Sequence, residues 1–85
     1  MINIEDVKQL LKSSGSIGAN YIKVNEALSK KDFIHRLKIC RKEAKETRYW
    51  LYLIDLEGNN VKKDYLIKEV TELMHIFGAI ITKNT

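Results

Sequence analysis

The chain reads as an all-α protein, an antiparallel up-and-down helical bundle of three helices in one domain spanning residues 1–85. Three observations predict this. Proline is absent and glycine occurs only four times in 85 residues. Apolar residues recur at alternating spacings of four and three, the seam that bundles bury. Finally, 85 residues allow one domain and no more.

The clearest element is expected over about 30–56. Ser29 is a good N-cap, and Asp32 three positions later completes a capping-box pattern. Behind it runs the seam Phe33, Leu37, Cys40, Ala44, Thr47, Leu51, Ile54. Glu57-Gly58-Asn59-Asn60 supplies the stop, with Gly58 as a left-handed cap. The last helix follows over about 61–83, with the seam Leu66, Val70, Leu73, Phe77, Ile80. Ile67, Met74 and Ile81 widen this stripe on one side, and a stripe that wide usually touches more than one neighbour. The short connection makes these two helices antiparallel neighbours.

The first segment, about 4–28, is less regular. Ile4, Val7, Leu11, Ser14, Gly18 and Tyr21 or Ile22 form one face. The run from Ser13 to Asn20 is a poor helix former by propensity. It is either a loop between short helices or one bent helix held by packing. The second reading is favoured, because Ser14, Gly15, Gly18 and Ala19 would admit another helix backbone closely.

Composition sets limits on function. Net charge is +4 and the pI about 9.2, which permits a nucleic-acid or acidic partner without demanding one. The single cysteine, Cys40, excludes an intrachain disulfide and falls in the apolar seam, where core packing is expected. No run approaches the ~20 apolar residues of a membrane span. The start, Met1-Ile2-Asn3-Ile4-Glu5-Asp6, lacks the pattern of a signal peptide, so a cytoplasmic location is the expectation.

Candidate surfaces lie on the central helix. One residue off its seam run Lys31, Ile34, Lys38, Arg41, Lys45, Arg48, Tyr52. Lys31, Lys38, Arg41, Lys45 and Arg48 would contact phosphates of RNA or DNA, with Tyr52 available for stacking. A solvated helix face is the plain alternative. On the other side run Asp32, Arg36, Ile39, Glu43, Glu46, Trp50, Leu53. Glu43, Glu46, Tyr49 and Trp50 are the candidate oligomer interface, with the basic edge of one subunit meeting the acidic edge of the next. Paired Glu43 and Glu46 lack the Glu-x-x-His partner of a metal-carboxylate bundle, and His35 and His75 are isolated. No catalytic residues, cofactor or metal site are expected, and the chain reads as no enzyme.

Two stretches carry a family resemblance. One is Ser14-Gly15-Ser16-Ile17-Gly18-Ala19-Asn20-Tyr21. The other is Ala27-Leu28-Ser29-Lys30-Lys31-Asp32-Phe33-Ile34-His35-Arg36-Leu37, continuing from Lys42 to Leu51. In order and spacing they resemble the signature blocks of the 23S rRNA intervening-sequence protein family. That family is similar in fold to accessory variability determinant proteins of diversity-generating retroelements. The resemblance implies a bacterial four-helix bundle that forms a homo-oligomer, typically a pentamer, without known catalysis. It further implies a nucleic-acid role or an accessory role, for example beside a reverse transcriptase. Family members usually carry one more helix before the segment that begins here near Ile4. The chain is therefore expected to be a truncated four-helix bundle, whose uncovered apolar side is met by self-association.

Overall fold

In the computed structural model, residues 4–54 and 60–85 are described, and they form three helices. These are α1 (Ile4–Asn25), α2 (Lys30–Leu53) and α3 (Asn60–Lys83). All ordered secondary structure among the described residues is helical.

The α2 seam is the centre of the molecule. Leu37, Cys40, Ala44, Thr47 and Leu51 are buried, and Ile54 beyond the helix is 2% exposed. Phe33 packs against the same cluster while remaining partly buried. The four-three spacing thus predicts the core stripe of α2 correctly. The helix begins where expected, with the Asp32 N–H donating to Ser29 Oγ at 3.1 Å. The return half of the capping box is replaced: the Asp32 carboxylate lies 3.6 Å from Arg36 Nε, one turn on. The helix ends at Leu53, three residues before the expected Leu56. Ile54 turns extended there while its N–H still donates to Trp50 O at 3.0 Å. Leu56 and the expected cap Gly58 lie outside the described residues, as does the side chain of Ile4.

α1 is one unbroken helix through the Ser-Gly run, so packing overrides propensity there. Local bonds help: Asn20 Nδ2 donates to Ser16 O at 2.9 Å. The helix ends at Asn25 rather than Leu28. Its last turn tightens as Glu26 N–H donates to Lys23 O and Ala27 N–H to Val24 O, each at 3.2 Å. Leu28 then points fully into solvent.

The face of α1 that meets α2 differs from the expected one. Leu10, Ser13, Ile17 and Val24 pack inward. The expected face lies to one side, with Leu11 65% exposed and Ser14 and Gly18 also exposed. The close approach at Ser14, Gly15, Gly18 and Ala19 is not made among the described residues. All four are exposed, and nothing lies within 4 Å of a Cβ built on Gly15 or Gly18. The small residue that admits a neighbour is Ser13, 3% exposed. Its Oγ lies 3.0 Å from Thr47 Oγ1 and itself donates to Leu10 O at 3.2 Å. The Thr47 proton has a second acceptor, Glu43 O at 2.9 Å. No polar side-chain atom buried among the described residues lacks a partner.

Contacts on α2 run in opposite order to both neighbours. Ser13 meets Thr47, while Ile17 O faces the Cys40 thiol at 3.9 Å. On the other side Lys63 Nζ donates to Tyr52 O at 3.1 Å and Arg48 Nη1 to Thr71 Oγ1 at 3.4 Å. Val70, Met74, Phe77 and Ile81 are the buried residues of α3, with Ile67 and Ile80 packed beside them. Leu66 and Leu73, expected in that seam, are 44% and 37% exposed. The stripe is as wide as the sequence suggests, but within this chain it finds one helix neighbour.

α1 and α3 each pack on α2 and nowhere bring Cα atoms within 8 Å of each other. The molecule is therefore a single helical layer, 46 × 21 × 14 Å. Its radius of gyration is 14.2 Å, against about 12 Å for a compact chain of this length.

Leu37 is 1% exposed and central to this layer. Leu37→Ala is expected to cost about 2–5 kcal/mol, whereas Leu28→Ala at the exposed turn should change stability by less than about 0.5 kcal/mol. Urea unfolding followed by circular dichroism checks the contrast.

Candidate nucleic-acid interface

Because α1 and α3 both sit on the seam side of α2, the opposite face of α2 is left bare. Residues diametrically across from the seam recur at the same four-three spacing: Lys31, His35, Lys38, Lys42, Lys45, Tyr49, Tyr52. All seven are exposed. At 1.5 Å rise per residue they form a line of about 30 Å. No acceptor within the described chain ties down the four lysines, and Glu46 is the exposed acidic neighbour of the line. At its start, Lys30, Lys31, Ile34, His35 and Lys38 surround a shallow hollow of about 600 Å³. The amino end of α2 adds its positive dipole there. Tyr49 and Trp50 pack edge to face near the far end, ring centroids 5.1 Å apart at 74°.

This line is rotated from the one the sequence suggested. Lys31, Lys38, Lys45 and Tyr52 belong to both and are exposed. Arg41 and Arg48 turn toward α3 and are half-buried: Arg41 Nη1 lies over Gly78, and Arg48 bonds Thr71. Lys30, His35 and Lys42 were missed. The available signal was the helical position opposite the apolar seam, rather than the position one residue beside it.

The acidic edge faces α1. Glu43 is half-buried and Glu46 exposed, and both border a hollow of about 250 Å³ shared with Gln9, Lys12, Ser16 and Lys42. Tyr49 is 56% exposed, while Trp50 is half-buried.

Among the described residues, no three of His, Cys, Asp and Glu gather as metal ligands would. No described helix is long and apolar enough to cross a membrane. Cys40, the one thiol, is buried against α1, and that burial pushes the thiol pKa upward, outweighing a hydrogen bond from its own backbone that acts the other way.

The family model for the 23S rRNA-intervening sequence protein matches residues 4–79. The chain belongs to that family. A solved relative in the S23 ribosomal protein family, a protein of unknown function from Bacteroides thetaiotaomicron, superposes with a TM-score of 0.78 at 38% identity. The match covers 89% of the present chain and 72% of the Bacteroides chain. No curated protein matches. The 23S rRNA-intervening sequence match runs through all of α1 and α2 and most of α3, so it includes every lysine of the exposed line.

A thiol whose pKa is raised carries less thiolate at neutral pH, and reaction requires thiolate. Cys40 of this family member should therefore react slowly with a thiol reagent at pH 7 in the native state and rapidly in denaturant, as a colorimetric thiol assay would show.

Proposed function

We propose that this family member is a non-enzymatic helical-bundle module that binds RNA or DNA through the outer face of α2. One observation carries the reading: four lysines and two tyrosines in a single exposed line, with Lys30 and His35 at its start. Lysines at this spacing neutralise successive phosphates, and exposed tyrosines supply stacking surfaces. On this reading the three helices are an antiparallel up-and-down layer of a helical bundle. The binding face and the seam face are opposite sides of the same helix, so a ligand reaches the lysines without disturbing the core.

A second reading is a protein-interaction scaffold or accessory subunit without nucleic-acid contact. It draws on the aromatic end of α2, where Tyr49, Tyr52 and Leu53 are 56%, 60% and 48% exposed beside Trp50. Aromatic clusters of this kind are enriched at protein interfaces.

Fluorescence anisotropy with a structured RNA and a DNA duplex tests the first reading. For four phosphate contacts, log K should fall against log salt with a slope of roughly −3 to −4. Lys42→Glu with Lys45→Glu should weaken binding by roughly tenfold or more, and Arg48→Glu by less. Absence of salt-sensitive binding to either probe would refute the nucleic-acid reading and leave the scaffold.

A further inference from the structure

The exposed cations on the outer face of α2 are drawn up in one row. Lys31, Lys38, Lys42 and Lys45 span about 21 Å along the helix at 1.5 Å per residue. The flanks do not repeat them. On the α1 side stand half-buried Glu43 and exposed Glu46, and nearer the amino end Arg36 is held by the Asp32 carboxylate at 3.6 Å. On the α3 side Arg48 Nη1 donates to Thr71 Oγ1 and Arg41 Nη1 lies over Gly78. The same row then passes from cations to rings. Tyr49 and Tyr52 are both exposed, and Tyr49 is braced edge to face by half-buried Trp50.

Resting on the nucleic-acid reading above and narrowing it, we propose that the ligand of this face is a single strand, its phosphates on the lysines and its unpaired bases stacked on Tyr49 and Tyr52. Two physical requirements select the strand. A duplex presents phosphates in two rows, bordering a major groove about 12 Å wide. A helix laid along that groove needs cations on both flanks, and here one flank carries Glu43 and Glu46. A single strand needs one row. Stacking is the second requirement. Paired bases bury their faces on each other, whereas an unpaired base offers its face to an aromatic ring. The contact with Trp50 fixes the Tyr49 ring before a base arrives, so less rotamer freedom is lost on binding. The row from Lys31 to Tyr52 is about 30 Å long, the length of roughly nine stacked nucleotides at ~3.4 Å each.

A labelled DNA strand of roughly twelve nucleotides, and the duplex it forms with its complement, decide the case by fluorescence anisotropy at equal low salt. On charge alone the duplex, with its denser phosphates, binds more tightly. The single strand is expected instead to bind tighter than the duplex by about tenfold or more. Tyr49→Ala with Tyr52→Ala should weaken strand binding by roughly five- to hundredfold and duplex binding by less than about twofold. Tyr49→Phe with Tyr52→Phe, which keeps both rings, should retain the affinity for the strand. Equal or tighter binding of the duplex would overturn the single-strand assignment while leaving a nucleic-acid module in place. Strand binding untouched by the loss of both rings would overturn it as well. Absence of salt-sensitive binding to strand and duplex alike would remove the nucleic-acid reading itself, and this assignment with it.

Discussion

The burial of one stripe on α2 from two sides is the interaction on which everything else rests. Cys40 and Ala44 are completely covered, and Leu37 and Leu51 nearly so, although neither α1 nor α3 could cover them alone. α1 delivers Ser13 and Ile17 to Thr47 and Cys40. α3 delivers Val70, Met74, Phe77 and Ile81 to the same cluster. Small residues make this possible: Ala44 and Cys40 let both flanking helices come near the α2 backbone, where larger side chains would hold them off.

That arrangement divides α2 into two hemispheres with different roles. The fully buried seam is apolar apart from Thr47, whose hydroxyl finds partners on its own helix and on α1. The bare half collects Lys31, Lys38, Lys42 and Lys45. Charge that is modest over the whole chain becomes concentrated along one line, because the fold leaves no other element to interleave with it. Geometry, more than net charge, turns a mildly basic protein into one with a coherent basic face.

Much of this was legible in the sequence, and the failures have identifiable causes. The α2 seam was readable because a helix packed on both sides of one stripe must keep strict four-three spacing. Ser29 was readable because capping is local chemistry. The end of α2 was missed because Leu56 continues an apolar pattern past the residue where the backbone turns extended. The α1 face was misassigned because Leu11 and Val7 are more hydrophobic than Ser13, yet Ser13 is the residue that the Thr47 contact buries. Leu66 and Leu73 were placed in the core because spacing reports an apolar stripe without reporting how many neighbours share it. Arg41 and Arg48 were grouped with the lysines because a long side chain beside the seam can lean toward a neighbouring helix that only the fold reveals.

The lack of any approach between α1 and α3 has an energetic consequence. Each outer helix touches only the middle one, so cohesion runs from neighbour to neighbour, as it does in stacked repeats. The hairpins α1–α2 and α2–α3 are local in sequence, and each can form with little loop-closure cost. They communicate only through the residues they share, foremost Cys40, Ala44 and Leu51. A change of volume at those positions is felt by both hairpins together, whereas one at Val24 or Ile81 stays within its own. Cooperativity of the whole chain is therefore held in a few side chains of a single helix.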